Sequence, residues 1–186
     1  KTLFAGGVLI ASSIMFIRVM VEVAVVNLGL LHRLWMPLGA MCAGLLGGVL
    51  WLWYRHRQMG EDPNQPIEVK NPLQLGLALQ FSALLAVILL LSEAMKMRFG
   101  NQGVYVLSVV SGLIDVDAIT LSLSRSAEYD LDPEVAAMGI VLAAATNTLV
   151  KGFIFAFIAG IRKNIRLPFF LLAAILPGVM IAACLR

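Results

Sequence analysis

The sequence has 186 residues, of which 60% are hydrophobic and only 13% charged, with a net charge of +3. Soluble domains are about 45–50% apolar and about 25% charged, so this composition, with a mean hydropathy of +0.91, excludes a soluble fold. The basic residues are scattered and form no nucleic-acid-binding stripe. Cys42 and Cys184 lie in apolar stretches, where packing rather than a disulfide or a metal site is expected.

Six stretches approach the roughly 20 apolar residues that a transmembrane helix needs. Prolines open four of them, and Asn71 and Asp132 precede two of these prolines as N-cap residues. The segment from Arg55 to Lys70 contains the turn-forming residues Gly60, Asp62, Pro63, Asn64 and Pro66 and is a solvated linker. The pattern predicts an all-α, polytopic transmembrane helix bundle in a single domain. The stretches, which we number spans 1 to 6, cover residues 3–26, 37–54, 72–91, 104–123, 133–160 and 168–185.

Spans 1–2 resemble spans 5–6, which indicates an internal repeat. Because both pairs begin at an odd-numbered span, the pattern predicts a parallel repeat, a kind found in transporters. A four-helix repeat unit would lack its first two helices in the first copy, and the chain begins with Lys1 rather than Met. We therefore expect a longer natural protein. The alignment matches Gly6 with Gly139, Arg18 with Lys151, Pro37 with Pro168 and Gly47 with Gly178.

Five ionisable residues are predicted to lie at membrane depth. A charge at the bilayer centre costs from about 2.5 to over 10 kcal/mol, so such residues are usually paired, hydrated or functional. The five are Arg18, Glu22, Asp115, Asp117 and Lys151.

Span 4 carries the richest polar pattern. On a regular helix, Asp115 and Asp117 point in nearly opposite directions. Gly112 just before them permits a break, so we predict a departure from regular helix between Gly112 and Asp117, or a polar cavity that an aspartate reaches. Carboxylate and hydroxyl oxygens suit small cations. The alternative is that one aspartate pairs with a base for structural reasons and the other lies near the interface.

Lys151 is the natural counter-charge for an aspartate of span 4, and we expect it to pair with Asp115 or Asp117. Alternatively, Lys151 extends towards the interface, and Asn147, on the same helix face, simply forms a hydrogen bond between helices. Arg18 and Glu22 are four residues apart. They form either a local ion pair or, through the repeat, a second basic site.

Span 2 contains two rows of small residues, which permit close approach of another helix and a homo-oligomer through this face. No nucleophile with its base, zinc-ligand spacing or phosphate loop is recognisable, so we expect neither an enzyme nor a bound cofactor. The rows are formed by Gly39, Ala40, Ala43, Gly44, Gly47 and Gly48.

Two motifs resemble the C-terminal membrane domain of bacterial MgtC/SapB-type proteins. They are the run SGLIDVDAITLS at 111–122 and the run TNTLVK at 146–151, and residues 19–23 and 71–73 fit the same pattern. The resemblance covers nearly the whole chain. It implies an N-terminal MgtC-like domain upstream, a bacterial inner-membrane location and a link to growth at low magnesium.

These observations predict a multi-pass protein of the lipid bilayer that transports or senses a small cation, Mg²⁺ by resemblance, between spans 4 and 5. The alternative is a membrane regulatory or assembly subunit without an ion path, in which the charges only fix helix register. The predicted ligands are Asp115, Asp117, Thr120, Ser111 and Asn147, with Lys151, Arg18 and Glu22 as counter-charges.

Overall fold

A computed structural model describes residues 2–57, 90, 94, 99–159 and 166–185, and all regular secondary structure in these residues is helical. The predicted all-α fold class is confirmed. Residues 58–70 of the linker lie outside the described part, as does span 3 apart from Leu90, which is helical. The helices are α1 (Thr2–Val26), α2 (Leu28–Arg57), α3 (Phe99–Ile114), α4 (Asp117–Ser126), α5 (Pro133–Ala159) and α6 (Arg166–Cys184).

Three of the described helices contain stretches long and apolar enough to cross a membrane. These stretches are Gly6–Val26 in α1, Leu28–Trp51 in α2 and Pro133–Phe157 in α5. The helices α3 and α6 are apolar but shorter. Large apolar side chains such as Val25 and Phe157 are exposed on the outside of the bundle, as expected for a protein whose surroundings are lipid.

Helix α2 begins at Leu28, so the prediction that Pro37 opens it is wrong. The side chain of Asn27 caps the helix, because its Oδ1 accepts the backbone N–H of Leu30 at 3.0 Å. Pro37 lies inside the helix and cannot donate a backbone hydrogen bond to the preceding turn. Here the early cap, rather than the proline, determines the start of the helix.

One end of the bundle, which we call the Asn27 end, is defined by contacts between the turns. The Asn27 side chain donates to the backbone oxygen of Ser124 at 3.4 Å. Arg33 forms an ion pair with Glu134 at 2.9 Å. Helices α1 and α4 therefore finish at this end, and α2 and α5 begin there.

Helices α3 and α4 form a hairpin that enters and leaves at the Asn27 end. Ser108 lies against Gly139 and Gly112 against Ala143, so α3 runs parallel to α5, away from this end. The helix is interrupted at Asp115 and Val116, and α4 then runs back alongside α1. The predicted break is confirmed, but the prediction that residues 104–123 form one spanning helix is wrong.

The two repeated helix pairs run in opposite directions, so the predicted parallel sense of the repeat is wrong. Helix α1 finishes at the Asn27 end, whereas α5 begins there. Helices α2 and α6 are antiparallel, since Gly44 faces Ala174 and Gly48 faces Phe170. The physical reason is the hairpin: span 4 does not cross the bundle, so counting it as a crossing reversed the expected direction of every helix after it.

The contacts are consistent with an inverted repeat about a pseudo-twofold axis. In such a repeat, the axis crosses the α2–α6 contact at the point where a residue of α2 lies against its own equivalent in α6. Because Pro37 is equivalent to Pro168, that point is near residues 43–44 of α2 and 174–175 of α6. The close contact of Gly44 with Ala174 lies at this point. In the other pair of equivalent helices, α1 and α5, Lys151 contacts Met15, which lies one turn before Arg18, the equivalent of Lys151.

One of the two small-residue rows of α2 packs within the chain. Gly44 and Gly48 of this row contact α6 so closely that a Cβ on either would press on its neighbour. A Cβ on Gly39 or Gly47 in the other row would meet nothing within 4 Å among the described residues. A homo-oligomer through this second row stays a prediction.

Candidate functional site

The hairpin tip is built by the Asp115-Val116-Asp117 sequence. The N–H of Asp115 closes the last turn of α3 on the Ser111 oxygen at 2.8 Å. Its carboxylate then turns to the start of α4, where the N–H groups of Asp117 and Ala118 each lie 3.4 Å from one of its oxygens. Asp115 thus ends one helix and caps the next, which is why the chain can reverse within two residues.

The tip is held against α5 by a close backbone approach and a side-chain hydrogen bond. A Cβ on Gly112 would lie 2.5 Å from the Ala143 oxygen, so only glycine fits this contact. The amide of Asn147, which is 8% exposed, donates to the Gly112 oxygen at 3.0 Å. The interhelical hydrogen bond considered for Asn147 is therefore present.

Arg18 of α1 is the ion-pair partner of Asp117. The guanidinium contacts the Asp117 carboxylate, whose side chain is 9% exposed, and also binds Glu22 Oε1 at 3.1 Å. The local Arg18–Glu22 pair is confirmed. The pairing with Asp117 was not predicted, because no sequence spacing indicates that α4 runs beside α1. The repeat, which equates Arg18 with Lys151, was the one sequence signal that pointed to a role for Arg18 beyond its local pair with Glu22.

Lys151 pairs directly with neither aspartate, so that prediction is wrong. Its ammonium donates to the Met15 sulfur at 3.3 Å and lies within electrostatic range of Arg18 and Asp115. Within the part of the chain that the structure describes, it forms no ion pair. The reason is the direction of the hairpin, since α4 carries Asp117 towards α1 rather than along α5.

Buried hydroxyls surround the tip. Thr120 lies one turn after Asp117, is 0% exposed, and its Oγ1 has no hydrogen-bond partner among the described residues. Ser111, one turn before Asp115, is also buried. A buried hydroxyl without a partner is costly, so the Thr120 oxygen is a candidate ligand for a bound ion or water.

We call the charged residues at the hairpin tip the tip cluster. In the described ranges, no three His, Cys, Asp or Glu residues are grouped in a way that could hold a metal ion. Any cation bound here would therefore be held by few carboxylates together with neutral oxygens. The tip cluster consists of Arg18, Glu22, Asp115, Asp117 and Lys151.

The tip cluster lies about halfway along the spanning helices. Helix α4 has 10 residues and so extends roughly 15 Å from the Asn27 end. This is about half of the roughly 30 Å hydrocarbon thickness of a bilayer. Charged groups at this depth are expected to be functional.

Comparison with known proteins gives the family. A family model described as "Domain of unknown function (DUF4010)" matches residues 1–159, which include every residue of the tip cluster. The chain belongs to this DUF4010 family. A relative from Aquifex aeolicus (strain VF5), called an uncharacterized protein, is 35% identical over 162 residues, which are 87% of this chain and 70% of that protein. No solved structure matches. These DUF4010 matches do not carry the MgtC/SapB name, so that affiliation stays a prediction.

Proposed function

We propose that this chain is a multi-pass protein of the bacterial inner membrane that transports a small cation through the tip cluster. The observation that carries the proposal is the helix break at Asp115 and Val116, which lies about halfway along the bundle between two inverted helix pairs. Transporters with inverted repeats place their substrate and ion sites at such interrupted helices near the bilayer midplane.

The chemistry of the tip supports a cation rather than a neutral solute. Asp115 and Asp117 supply carboxylate oxygens, and the buried hydroxyl of Thr120 supplies an oxygen without a partner. Ser111 and the side-chain oxygen of Asn147 are the further neutral oxygens that we assign to the site. Interrupted backbone at membrane depth occurs where it is buried in protein or lines a water-filled cavity.

A purely structural role accounts for less of the arrangement. In a regulatory or assembly subunit, charges fix helix register, and the Arg18–Asp117 ion pair alone would do so. Among the described residues, it would leave unexplained an ammonium on Lys151 that forms no ion pair and a buried hydroxyl on Thr120 that has no hydrogen-bond partner. These groups, which a structural role does not explain, favour an ion site over a scaffold.

The test is cation flux in liposomes that contain the purified protein. We expect flux in the wild type and a loss of at least about tenfold in Asp115→Asn or Asp117→Asn, since a factor of ten needs only about 1.4 kcal/mol of lost binding energy. Glu128→Gln is the matched control, because it removes the same charge from an exposed site in the loop after α4. Flux that is absent, or unchanged in both aspartate variants, would refute the proposal and favour the subunit without an ion path.

A further inference from the structure

We infer that the tip cluster takes a monovalent metal cation, such as Na⁺ or K⁺, in competition with the guanidinium of Arg18. This inference rests on the proposed function, since it names the substrate class of the same site. It is carried by two observations, the charges that surround the tip and a buried hydroxyl that lacks a partner.

The first observation is a continuous set of charged contacts. Arg18 contacts Asp117 and lies 3.1 Å from Glu22. Asp115 follows in space, because its carboxylate oxygen lies 3.4 Å from the Asp117 nitrogen. The Lys151 ammonium contacts the sulfur of Met15, which lies one turn before Arg18 on the same helix. The five groups therefore share one environment.

Their charges add to −1, since three carboxylates face two cationic side chains. A group of charges at membrane depth is least costly when its sum is zero. A monovalent cation brings the tip cluster to zero, whereas a divalent cation leaves a net charge of +1 beside Arg18 and Lys151. The charge balance thus selects a monovalent ion and disfavours Mg²⁺.

The second observation is a buried hydroxyl close in sequence to a carboxylate that Arg18 already holds. Asp117 is nearly buried, with its side chain 9% exposed, whereas the Arg18 side chain is 58% exposed. The guanidinium is also held by Glu22, so it can release Asp117 while it stays inside the tip cluster, and the charge count still includes it. Thr120, one turn beyond Asp117, then offers the fully buried hydroxyl that no described residue uses.

Competition makes a quantitative prediction. A guanidinium that occupies the site lowers the apparent cation affinity, and an interaction of the size expected between Arg18 and Asp117 changes it by roughly 5- to 150-fold. Replacing Arg18 by a neutral residue removes the competitor and also changes the charge of the tip cluster from −1 to −2. The variant should therefore bind cations more tightly and should shift its preference towards divalent ions.

The experiment measures thermal unfolding of the purified full chain in detergent against NaCl, KCl and MgCl₂, with choline chloride at matched ionic strength as the reference. In the wild type we expect stabilisation by Na⁺ or K⁺ that is absent in Asp117→Asn, and little by Mg²⁺. Arg18→Gln should respond to cations at roughly 5- to 150-fold lower concentration, with Mg²⁺ now the better ion. Arg33→Gln removes the same charge from the Arg33–Glu134 pair, outside the tip cluster, and should behave as the wild type.

A second variant tests the same charge change if Arg18→Gln does not fold. Lys151→Gln makes the same charge change without touching the Arg18–Asp117 pair, and it should also shift the preference towards Mg²⁺. A wild type that prefers Mg²⁺, or folded variants of both residues that keep the wild-type preference, would overturn this inference while leaving the proposed function in place. If no cation stabilised the wild type more than choline, the proposed function would fail together with it.

Discussion

Gly112 is the position where one added methyl group should test the hairpin most directly. An alanine Cβ would lie 2.5 Å from the Ala143 oxygen and 3.0 Å from its Cα. Favourable contacts lie at about 3.5–4.0 Å. Because both atoms belong to the backbone of α5, no side chain can rotate away. The tip of α3 must therefore move by roughly 1 Å.

The magnitude follows from three contributions. Overpacking of this kind costs about 1–3 kcal/mol. The displacement also weakens the bond from Asn147 to the Gly112 oxygen, which in a membrane is worth about 0.6 and at most about 1.7 kcal/mol. Alanine recovers up to about 1 kcal/mol through its higher helix propensity. We expect a net loss of about 1–3 kcal/mol in the free energy of unfolding.

The assay is equilibrium unfolding in mixed detergent micelles with increasing dodecyl sulfate. Gly47→Ala on α2 is the control, because its Cβ would meet nothing within 4 Å and the change should be neutral or slightly stabilising. If Gly112→Ala unfolds at the same detergent fraction as Gly47→Ala, the close packing of α3 on α5 is wrong. The Asn147→Ala variant should also cost less in the Gly112→Ala background than in the wild type.

Three further expectations concern topology, the ion pair and the helix crossing. In intact cells, in a Cys184→Ser background that keeps the buried Cys42, one cysteine added at Asn101 or at Glu128 should react with an impermeant thiol reagent from the same side of the membrane. Labelling from opposite sides would restore span 4 as a crossing helix. The double variant Arg18→Gln with Asp117→Asn should lose less stability than the two single variants added together. The expected coupling is about 1–3 kcal/mol, smaller than for a fully buried pair because Arg18 is exposed. Simple additivity in the unfolding assay would mean that the two side chains do not interact. Gly178→Ala should destabilise by about 1–3 kcal/mol because its Cβ would lie 2.5 Å from the Pro37 oxygen, and equal stability of this variant and Gly39→Ala would argue against the α2–α6 crossing.

Inspection of the sequence was sufficient for properties that depend on local chemistry. The apolar stretches around Phe16 and Ala145 predict membrane helices because length and hydropathy alone decide whether a helix can cross a bilayer. The break before Asp117 was also predictable, since Gly112 and two nearby aspartates disfavour a continuous helix. Arg18, Glu22, Asp115, Asp117 and Lys151 stood out because charged residues are rare in apolar stretches.

Directions and partners depended on the tertiary structure. An apolar helix has the same composition whichever way it runs, so the sequence could not indicate that the chain turns back at Asp115. That turn depends on α3 packing against Ala143 and on α4 packing beside α1. The same reversal inverts the repeat and brings Asp117 into an ion pair with Arg18 rather than with Lys151. Local composition therefore determined which residues lie at membrane depth, whereas helix packing decided which of them meet, because packing alone fixes the direction in which each helix returns.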